Sequence, residues 1–455
     1  MTVQDASFTE SKPSAEYGFS AVRSFKLGSF HIGSSMTDVL FSGIWNRVMI
    51  SDLGMAAWPV SLLLALRYLL APLAMWAGHQ SDTYPLFGSR RTAYIWLGRL
   101  LMLLAMPALP LSVGLIVQGN GGRGWLLAAL ALLLYGTGQS ISGAPFLALV
   151  HDSAPYARRG QAVSIVQFML VVSFAFIPAI FARVMPAYDQ ALFWRLVGVS
   201  MVGAALFWGV SILGEERRAQ HLGTLSPVPT TKLGPLRTTL RDLWADPRTR
   251  RYAVFLGMSA FFAFMQDAVL EPFGGDVFGL SAGETTRFNA YWGMGVLLSM
   301  IITYGLTRKR RPDQQVNTTA WGLLLLGLGV ALLSLAAFTR AQSLIVPVLL
   351  FFGIGFGVFT VGGTSLLMAV NSAEKAASYL ALWSVIQLVS RGLGIAAGGL
   401  LRDLFHSLSG EIAVAYGAVF MVEAVGLVAC IWLLRRARIE TVPVEPLPAT
   451  VALLD

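Results

Sequence analysis

Residues 343–370 read SLIVPVLLFFGIGFGVFTVGGTSLLMAV, 28 consecutive residues without a charged side chain. A helix needs about 20 predominantly apolar residues to cross the hydrocarbon core of a bilayer, so this stretch is long enough. About twelve such stretches occur along the chain. We place them near residues 33–51, 57–77, 92–118, 124–150, 160–185, 190–213, 252–273, 287–306, 317–338, 343–370, 376–401 and 412–434. The sequence therefore predicts an all-α polytopic membrane protein with twelve transmembrane helices, called spans 1 to 12 below.

The composition agrees with this class. Hydrophobic residues make up 55% of the chain and charged residues 13%, whereas a soluble domain carries roughly 25% charged residues. Cys430 is the single cysteine, which excludes an intrachain disulfide. Residues 1–26 are polar and lack an apolar core, so we expect no cleaved signal peptide. The net charge of +9 marks the cytoplasmic side of a membrane protein and does not indicate nucleic-acid binding.

Basic residues are distributed unevenly between the two ends of the spans. With both termini in the cytoplasm, 23 Lys and Arg residues fall in the tails and inner loops, and five fall at the outer side. Cytoplasmic loops are enriched in Lys and Arg, so we predict this orientation. The predicted organisation is a polar cytoplasmic N-tail (1–30), a first six-helix bundle (31–214), a basic cytoplasmic linker (215–251), a second six-helix bundle (252–436) and a cytoplasmic C-tail (437–455).

The two predicted bundles are faintly similar to each other at an offset of 217 residues. Gly136 and Gly138 correspond in this register to Gly353 and Gly355. Paired halves around a central loop are typical of transporter folds. Because small residues let membrane helices approach closely, tight packing is the favoured interpretation of these glycines and of those at 392–394. The alternative is a hinge or a slot for a flat ligand.

The strongest local motif follows span 2. Gly78 and Asp82 precede Gly88, Arg90 and Arg91 at the start of span 3. A carboxylate at one helix end, facing arginines on the next helix, can form a charge-linked conformational latch in a rocking bundle. The pattern resembles the loop motif of the major facilitator superfamily, although five residues separate Asp82 from Gly88 where the common form has two.

Beyond this motif, the chain closely resembles the PucC/LhaA family, the bacteriochlorophyll-delivery branch of the major facilitator superfamily. The resemblance extends over about residues 25–438. The matching segments are FKLG (25–28), FHIG (30–33), WNRVMI (45–50), the block from ALRY (65–68) through SDT (81–83) and GSRR (88–91), and QDAVLEPFGG (266–275). The last block is specific to the family, whereas the glycine and arginine loop alone indicates the superfamily.

The resemblance implies assembly of light-harvesting antenna complexes in the inner, photosynthetic intracytoplasmic membrane of a bacterium. The expected partners are antenna polypeptides, bacteriochlorophyll bound transiently, and the lipid bilayer, with the reaction centre and pigment-synthesis enzymes as further candidates. Whether the antenna served is of the core or the peripheral type stays open.

Charged residues inside the spans are candidate cavity or gate residues, because each costs a few kcal/mol at the bilayer centre unless it is paired or hydrated. They are Asp38 and Arg47 on span 1, Arg67 on span 2, Asp267 and Glu271 on span 7, Arg391 on span 11 and Glu423 on span 12. Spans 1 and 7 are symmetry partners in a two-half fold. We therefore predict that Arg47 pairs with Asp267 or Glu271 and closes the outer side; a purely structural pair is the alternative.

The candidates for pigment contact are His31, Trp45, Asn46, Gln266 and Phe273. Histidine is a suitable axial ligand for the magnesium of bacteriochlorophyll, but none of the five histidines lies in the middle of a span. This placement favours transient handling of pigment over permanent holding. For His31 the alternative is an interfacial role, and for the aromatic residues it is core packing.

No P-loop, HExxH, CxxC or GxSxG pattern is present, so we expect neither an enzyme nor a nucleotide cofactor, and we assign no metal site. Three functions stay open. The first is an antenna assembly factor that handles pigment and nascent polypeptides. The second is a secondary transporter that moves a small solute by a rocking mechanism. The third is a pigment-free membrane scaffold for antenna subunits. The blocks similar to the family favour the first.

Overall fold

A computed structural model describes residues 19–155, 158–221, 223–225, 245, 247–307, 310, 314–370 and 376–437. Most of the predicted N-tail, most of the predicted linker and the C-tail from residue 438 lie outside these residues.

Ten helices in the described part of the chain are long and apolar enough to cross a membrane. They are Ala57–Thr83, Thr92–Val117, Gly121–Asp152, Arg159–Val184, Gln190–His221, Ala282–Thr307, Gln314–Thr339, Gln342–Leu366, Trp383–Ser409 and Ile412–Arg436. A further pair, Thr249–Ala268 and Leu270–Phe278, is bent by 40° and passes as one broken span. In chain order these eleven correspond to predicted spans 2 to 12.

Span 1 is helical from residue 30 to residue 52, but it is built from short pieces. Two α-helical pieces, Phe30–Asp38 and Trp45–Arg47, alternate with two π-helical pieces, Val39–Ile44 and Val48–Asp52. A π-helical turn closes its hydrogen bonds between residues five apart, so it rotates the side chains that follow relative to an α-helix. Such turns are frequent at functional sites.

Spans 2 and 3 are each divided near a proline. Span 2 consists of Ala57–Leu69 and Ala71–Thr83, and span 3 of Thr92–Ala105 and Ala108–Val117. Pro72 lies in the first turn of the second helix of span 2, and Pro107 immediately precedes the second helix of span 3. Proline lacks the backbone N–H that would continue the helical hydrogen bonds, which accounts for both breaks.

Two hydrophobic cores divide the molecule into halves. One is formed almost entirely by residues 27–212, and the other by residues 252–434. Three residues of the second half, Ala268, Ala282 and Ile395, pack into the first core and mark where the halves meet. The architecture is therefore two helical bundles in contact, as the sequence predicted.

The glycines matched by the 217-residue offset occupy equivalent helix contacts. Gly136 on span 4 faces span 2, where an added Cβ would lie 2.7 Å from the Cα of Arg67. Gly353 on span 10 faces span 8, where an added Cβ would lie 2.0 Å from the carbonyl oxygen of Trp292. Since spans 2 and 8 hold the same position in their halves, the two glycines serve the same contact.

The second matched pair follows the same rule. An added Cβ at Gly138 would lie 2.4 Å from the carbonyl oxygen of Gly98 on span 3, and one at Gly355 would lie 2.4 Å from the amide nitrogen of Leu326 on span 9. The packing interpretation of these glycines is therefore confirmed. Because they are buried against helices of their own half, they offer no small-residue surface for an external helix.

Span 11 joins the two halves through small residues. Gly392 lies against span 2, with an added Cβ 2.9 Å from the Cβ of Tyr68, whereas Gly394 faces span 7, 2.1 Å from the carbonyl oxygen of Phe261. Spans 5 and 8 meet in a comparable way, since an added Cβ at Gly293 would lie 3.5 Å from the Cβ of Ala175. Helix pairs 2–11 and 5–8 thus connect the halves.

The halves also meet through hydrogen bonds at one end of the molecule, which we call the far face and define by residues 46–61 and 268–283. The donors and acceptors are Asn46 Nδ2 to Ala268 O (2.8 Å), Arg47 Nη2 to Leu280 O (2.9 Å), Ser51 Oγ to Pro272 O (3.2 Å), Trp58 N to Asp403 Oδ2 (2.8 Å) and Gly283 N to Pro186 O (2.9 Å). The opposite end, which carries residues 78–92 and 215–216, is called the latch face.

The edges of the predicted N-tail and linker belong to the first half. Ala21–Gly28 is a helix, and within it Arg23 forms a buried ion pair with Glu215. Lys26 also reaches Glu215, at 2.9 Å. Glu215–His221 is a helix that follows span 6 after a two-residue turn at Leu213 and Gly214. The segments next to the boundaries predicted at residues 30 and 215 are therefore held to the first bundle by charge pairs with the buried Glu215.

A pair of glycine substitutions tests the packing. Gly138→Ala is expected to destabilise the protein by about 1–3 kcal/mol, because the nearest obstacle to the new methyl group is backbone. Gly198→Ala, also inside a long helix, meets nothing within 4 Å and is expected to be neutral or stabilising by up to about 1 kcal/mol. Thermal unfolding in detergent measures both. Equal midpoints for the two variants would contradict the close contact at Gly138.

Candidate functional site

A cavity of about 560 Å³ lies between the two halves. Predicted site residues from both halves line it, and these are His31, Asp38, Arg67, Gln266, Asp267, Glu271 and Arg391. Aromatic side chains of both halves line it as well, including Phe30, Tyr68, Phe146, Phe264, Trp292 and Phe356. Its volume falls in the range of about 300–1,000 Å³ that is typical of sites for single organic ligands.

Two aspartate–arginine pairs line the cavity, one in each half. Asp38 pairs with Arg67 in the first half, and Asp267 pairs with Arg391 in the second half at 2.8 Å. Both guanidinium groups lie 4.6 Å from the centre of the Tyr68 ring. Each pair is neutral and belongs to one half, so the aromatic ring of Tyr68 is what joins the two pairs.

Arg47, the predicted gate residue, has a different ion-pair partner from the one expected. Arg47 pairs with Asp52 at 3.1 Å and donates to the carbonyl oxygen of Leu280, so the predicted ion pair with Asp267 or Glu271 is wrong. The reason is local: the turn after Arg47 is π-helical, which brings the residue five positions ahead onto the same side. Arg47 nevertheless lies where the halves meet at the far face.

Glu271 is buried in the cavity wall without a cationic partner within ion-pair distance in the described part of the chain. Its Oε1 accepts from Asn289, whose own oxygen accepts from the indole N–H of Trp292 at 3.0 Å, while its Oε2 lacks a hydrogen-bond partner there. Gly43, in the first π-helical turn of span 1, gives this carboxyl group room, since an added Cβ would lie 2.6 Å from Oε1. Glu271 therefore presents one free acceptor toward the space between the halves.

Arg99, on the first helix of span 3, lines the same cavity and is not among the predicted cavity charges. It is buried, and its guanidinium group lies over the rings of Phe30 and Trp208 at 4.3 and 4.7 Å. A charged residue inside an apolar run is the signal that could have revealed it.

The predicted latch residues come together at the latch face. Asp82 forms an ion pair with Arg91, and its carbonyl oxygen accepts from Arg90 at 3.0 Å. Arg91 also faces the buried carboxylate of Asp152 at 3.3 Å. Gly88 has a φ of +76° in a tight two-residue turn, a conformation that favours glycine. The latch contacts join spans 2, 3 and 4 within the first half.

Glu216 completes the latch and was assigned to the linker by the sequence. Its carboxylate accepts from the backbone N–H groups of Arg90, Arg91 and Thr92, the last at 2.7 Å. These N–H groups begin the first helix of span 3 and have no partner within that helix, so a carboxylate there is favoured by hydrogen bonding and by the helix dipole. The start of span 3 is thereby tied to the helix after span 6.

The pigment-contact candidates divide into two groups. His31 and Gln266 line the cavity. Trp45 and Phe273 are fully buried in the cores of their halves, and Asn46 is buried at the far-face contact. The last three therefore serve packing and contact between the halves, and the structure does not bring them to the cavity.

The two bundles, the central cavity and the helix pairs that join the halves define a membrane protein with a major-facilitator-like fold. A POT family transporter in complex with 5-aminolevulinic acid aligns with a TM-score of 0.67 over 91% of this chain and 95% of that one, at 14% identity. A D-xylose-proton symporter aligns with a TM-score of 0.67 over 93% and 99%, also at 14% identity. At such identity the likeness shows the fold alone.

Within this class, the family model described as PUCC protein matches residues 44–441, and the chain belongs to that family. The "Bacteriochlorophyll synthase 44.5 kDa chain" of Rhodobacter capsulatus is 28% identical over 407 residues, which are 88% of this chain and 91% of that protein. "Protein PucC" of Cereibacter sphaeroides is 29% identical over 417 residues, 88% of each chain. Family and fold point to a membrane protein that is not an enzyme, although one relative carries the word synthase in its name.

Substitutions in the latch test how its charges are balanced. Asp152→Asn is expected to destabilise the protein by about 1–3 kcal/mol, because it removes a carboxylate that is 0% exposed beside the buried Arg91. Asp82→Asn is expected to cost less, since that side chain is 28% exposed and partly hydrated. Thermal unfolding of the purified protein in detergent measures both.

The matched control for the latch is Glu411→Gln. Glu411 and its partner Arg340 are both more than 60% exposed, so this pair contributes little and its loss is expected to leave the midpoint unchanged. If Glu411→Gln shifted the midpoint as much as Asp152→Asn does, burial of the carboxylate would not explain the loss of stability.

Proposed function

We propose that this protein is an assembly factor for bacterial light-harvesting antenna complexes, which binds or delivers bacteriochlorophyll and nascent antenna polypeptides within the membrane. Membership of the PUCC family over residues 44–441 carries the proposal, and the pigment-related name of the Rhodobacter capsulatus relative supports it. We place the protein in the photosynthetic inner membrane with both termini in the cytoplasm. The reaction centre and pigment-synthesis enzymes are further candidate partners.

The character of the cavity supports a flat, apolar ligand. Phe30 and Phe146 are stacked with their ring centres 3.7 Å apart, and His31 meets Phe146 edge-on at 5.5 Å. Across the cavity, Trp292 packs edge-on against Phe356 at 5.7 Å. Aromatic surfaces of this kind favour a ring system over a strongly hydrated solute.

A second cavity supports access from the lipid side. It has a volume of about 470 Å³ and lies among spans 1, 5 and 6. Its lining is apolar apart from Ser173, whose hydroxyl already donates to the carbonyl oxygen of Met169. Because bacteriochlorophyll and antenna helices both reside in the bilayer, we propose that they reach this protein laterally and need no aqueous path across the membrane.

A solute transporter is the second candidate function, and a specific observation favours it. The aligned structures include a proton symporter, and the central cavity here contains ionisable residues of both halves. Ionisable groups in such a position are typical of proton-coupled transporters. Uptake of solute by liposomes containing the purified protein would support this alternative.

The assembly proposal is tested by removal and recovery. Deleting the gene is expected to reduce the near-infrared absorption of antenna complexes in isolated membranes, and the intact gene is expected to restore it. Gentle purification from native membranes is expected to yield bound bacteriochlorophyll together with antenna polypeptides. If antenna polypeptides co-purify without pigment, the pigment-free scaffold function is favoured over pigment delivery. The proposal would be abandoned if two results were found together. The purified protein would have to lack both pigment and antenna polypeptides, and the deletion strain would have to assemble antenna complexes normally.

A cross-link between the halves separates lateral handling from rocking transport. Removing Cys430 by substitution with serine leaves a chain without cysteine, to which Ala175→Cys and Gly293→Cys are added. Their Cβ separation of 3.5 Å suits a disulfide between spans 5 and 8. If partners are handled from the lipid side, oxidation of the purified complex is expected to leave pigment and antenna polypeptides bound.

The control for this cross-link is a pair within one half. Gly327→Cys and Leu427→Cys have a Cβ separation of 3.6 Å between spans 9 and 12. The opposite result is that oxidation of the 175–293 pair releases the partners while oxidation of the 327–427 pair does not. That result would show that partner binding requires the halves to move relative to each other, and it would favour the rocking mechanism.

A further inference from the structure

Arg99 is the buried cation of the central cavity for which the described residues supply no carboxylate partner. The other two arginines of the cavity wall, Arg67 and Arg391, each pair with an aspartate. Arg99 is only 4% exposed, and no acidic side chain among the described residues lies within ion-pair distance of it. A buried charge without a counter-charge is costly and is retained only where something offsets the cost.

The contacts of Arg99 within the protein are weak or incomplete. Its Nη1 donates to Ser34 Oγ at 3.3 Å and approaches the sulfur of Met102 at 3.2 Å, while its Nε lacks a hydrogen-bond partner in the part of the chain that the structure describes. The rings of Phe30 and Trp208 supply cation–π contacts, each worth about 0.5–2 kcal/mol. A guanidinium group has five donors in a planar fork, so much of its binding capacity is free.

We propose that Arg99 binds the carboxylate of a tetrapyrrole acid, which is the ligand of the central cavity. A planar guanidinium fork recognises a carboxylate through two parallel hydrogen bonds. The stacked Phe30 and Phe146 rings adjoin this cation, so the site pairs one positive charge with a flat apolar wall. An organic ring system with a single acidic arm matches both features.

This inference rests on the proposed handling of pigment and specifies its chemical form. In finished bacteriochlorophyll the propionic acid side chain is esterified with a long alcohol and carries no charge. The corresponding free acid is ionised at neutral pH, because carboxyl groups have pKa values near 4. Only the acid offers Arg99 a counter-ion, so the cavity is expected to favour the pigment acid over the ester.

The test compares three probes on the purified full-length protein in neutral detergent. They are bacteriochlorophyllide, which is the free acid, bacteriochlorophyll, which is its ester, and the anionic lipid phosphatidylglycerol. Binding is followed by the change in pigment absorption, and binding of the lipid by competition. The acid is expected to bind at least tenfold more tightly than the ester and to resist displacement by the lipid.

Three variants assign the preference to Arg99. Arg99→Gln is expected to lose the tenfold preference, whereas Arg99→Lys keeps the charge and is expected to retain part of it. Arg340→Gln, which removes an exposed arginine elsewhere, is the matched control and is expected to bind like the parent chain. Because Arg99→Gln removes an unbalanced charge, it is expected to leave the thermal unfolding midpoint unchanged or raised, which a purely structural arginine would not do.

The possible results separate failure of the Arg99 inference from failure of the proposed pigment handling on which it rests. Equal binding of acid and ester would overturn the role of Arg99 and leave pigment handling intact. A preference that survives in Arg99→Gln would also overturn it. Arg99-dependent binding of phosphatidylglycerol with no pigment binding would overturn both the ligand assigned here and pigment handling, whereas antenna assembly itself is judged separately by the deletion strain.

Discussion

Polar groups in the hydrocarbon core find no water, so the protein itself must satisfy them, and this constraint governs the structure. The backbone is helical along the spans, and glycines let carbonyl oxygens of neighbouring helices approach to distances that a side chain would prevent, as at Gly138. Asp38 neutralises Arg67 in the first half, and Asp267 neutralises Arg391 in the second half, both beside the cavity. Against this background, an unbalanced charge is a departure that calls for a functional explanation.

Much of the fold could be predicted from the sequence, because the length of an apolar run is set by the thickness of the bilayer. The division into halves was also visible, since Gly136 and Gly353 recur at a fixed offset and serve equivalent contacts. The local form of span 1 was not predictable. Hydropathy does not distinguish an α-helical from a π-helical turn, although that difference decides that Arg47 pairs with Asp52.

The site was predicted in part. The charges at Asp38, Arg67 and Asp267 line the cavity as expected, because ionisable residues avoid lipid. Which residues pair depends on the rotation of each helix about its axis, and composition does not give that rotation. Glu216 was missed for a related reason: its role comes from the exposed N–H groups of a helix distant in sequence, so nothing in its own neighbourhood indicates it.

The distribution of charge between the halves has a mechanical consequence. The pairs Asp38–Arg67 and Asp267–Arg391, like the latch, each lie within one half, so relative movement of the halves breaks none of them. The far-face hydrogen bonds contribute about 0.5–1.5 kcal/mol each, and the Tyr68 ring contact adds a similar amount. The charge pairs that stabilise each half can therefore persist while the far-face hydrogen bonds and the contacts of helix pairs 2–11 and 5–8 change. Such an arrangement suits a protein whose cavity must first admit a membrane-embedded ligand and then release it.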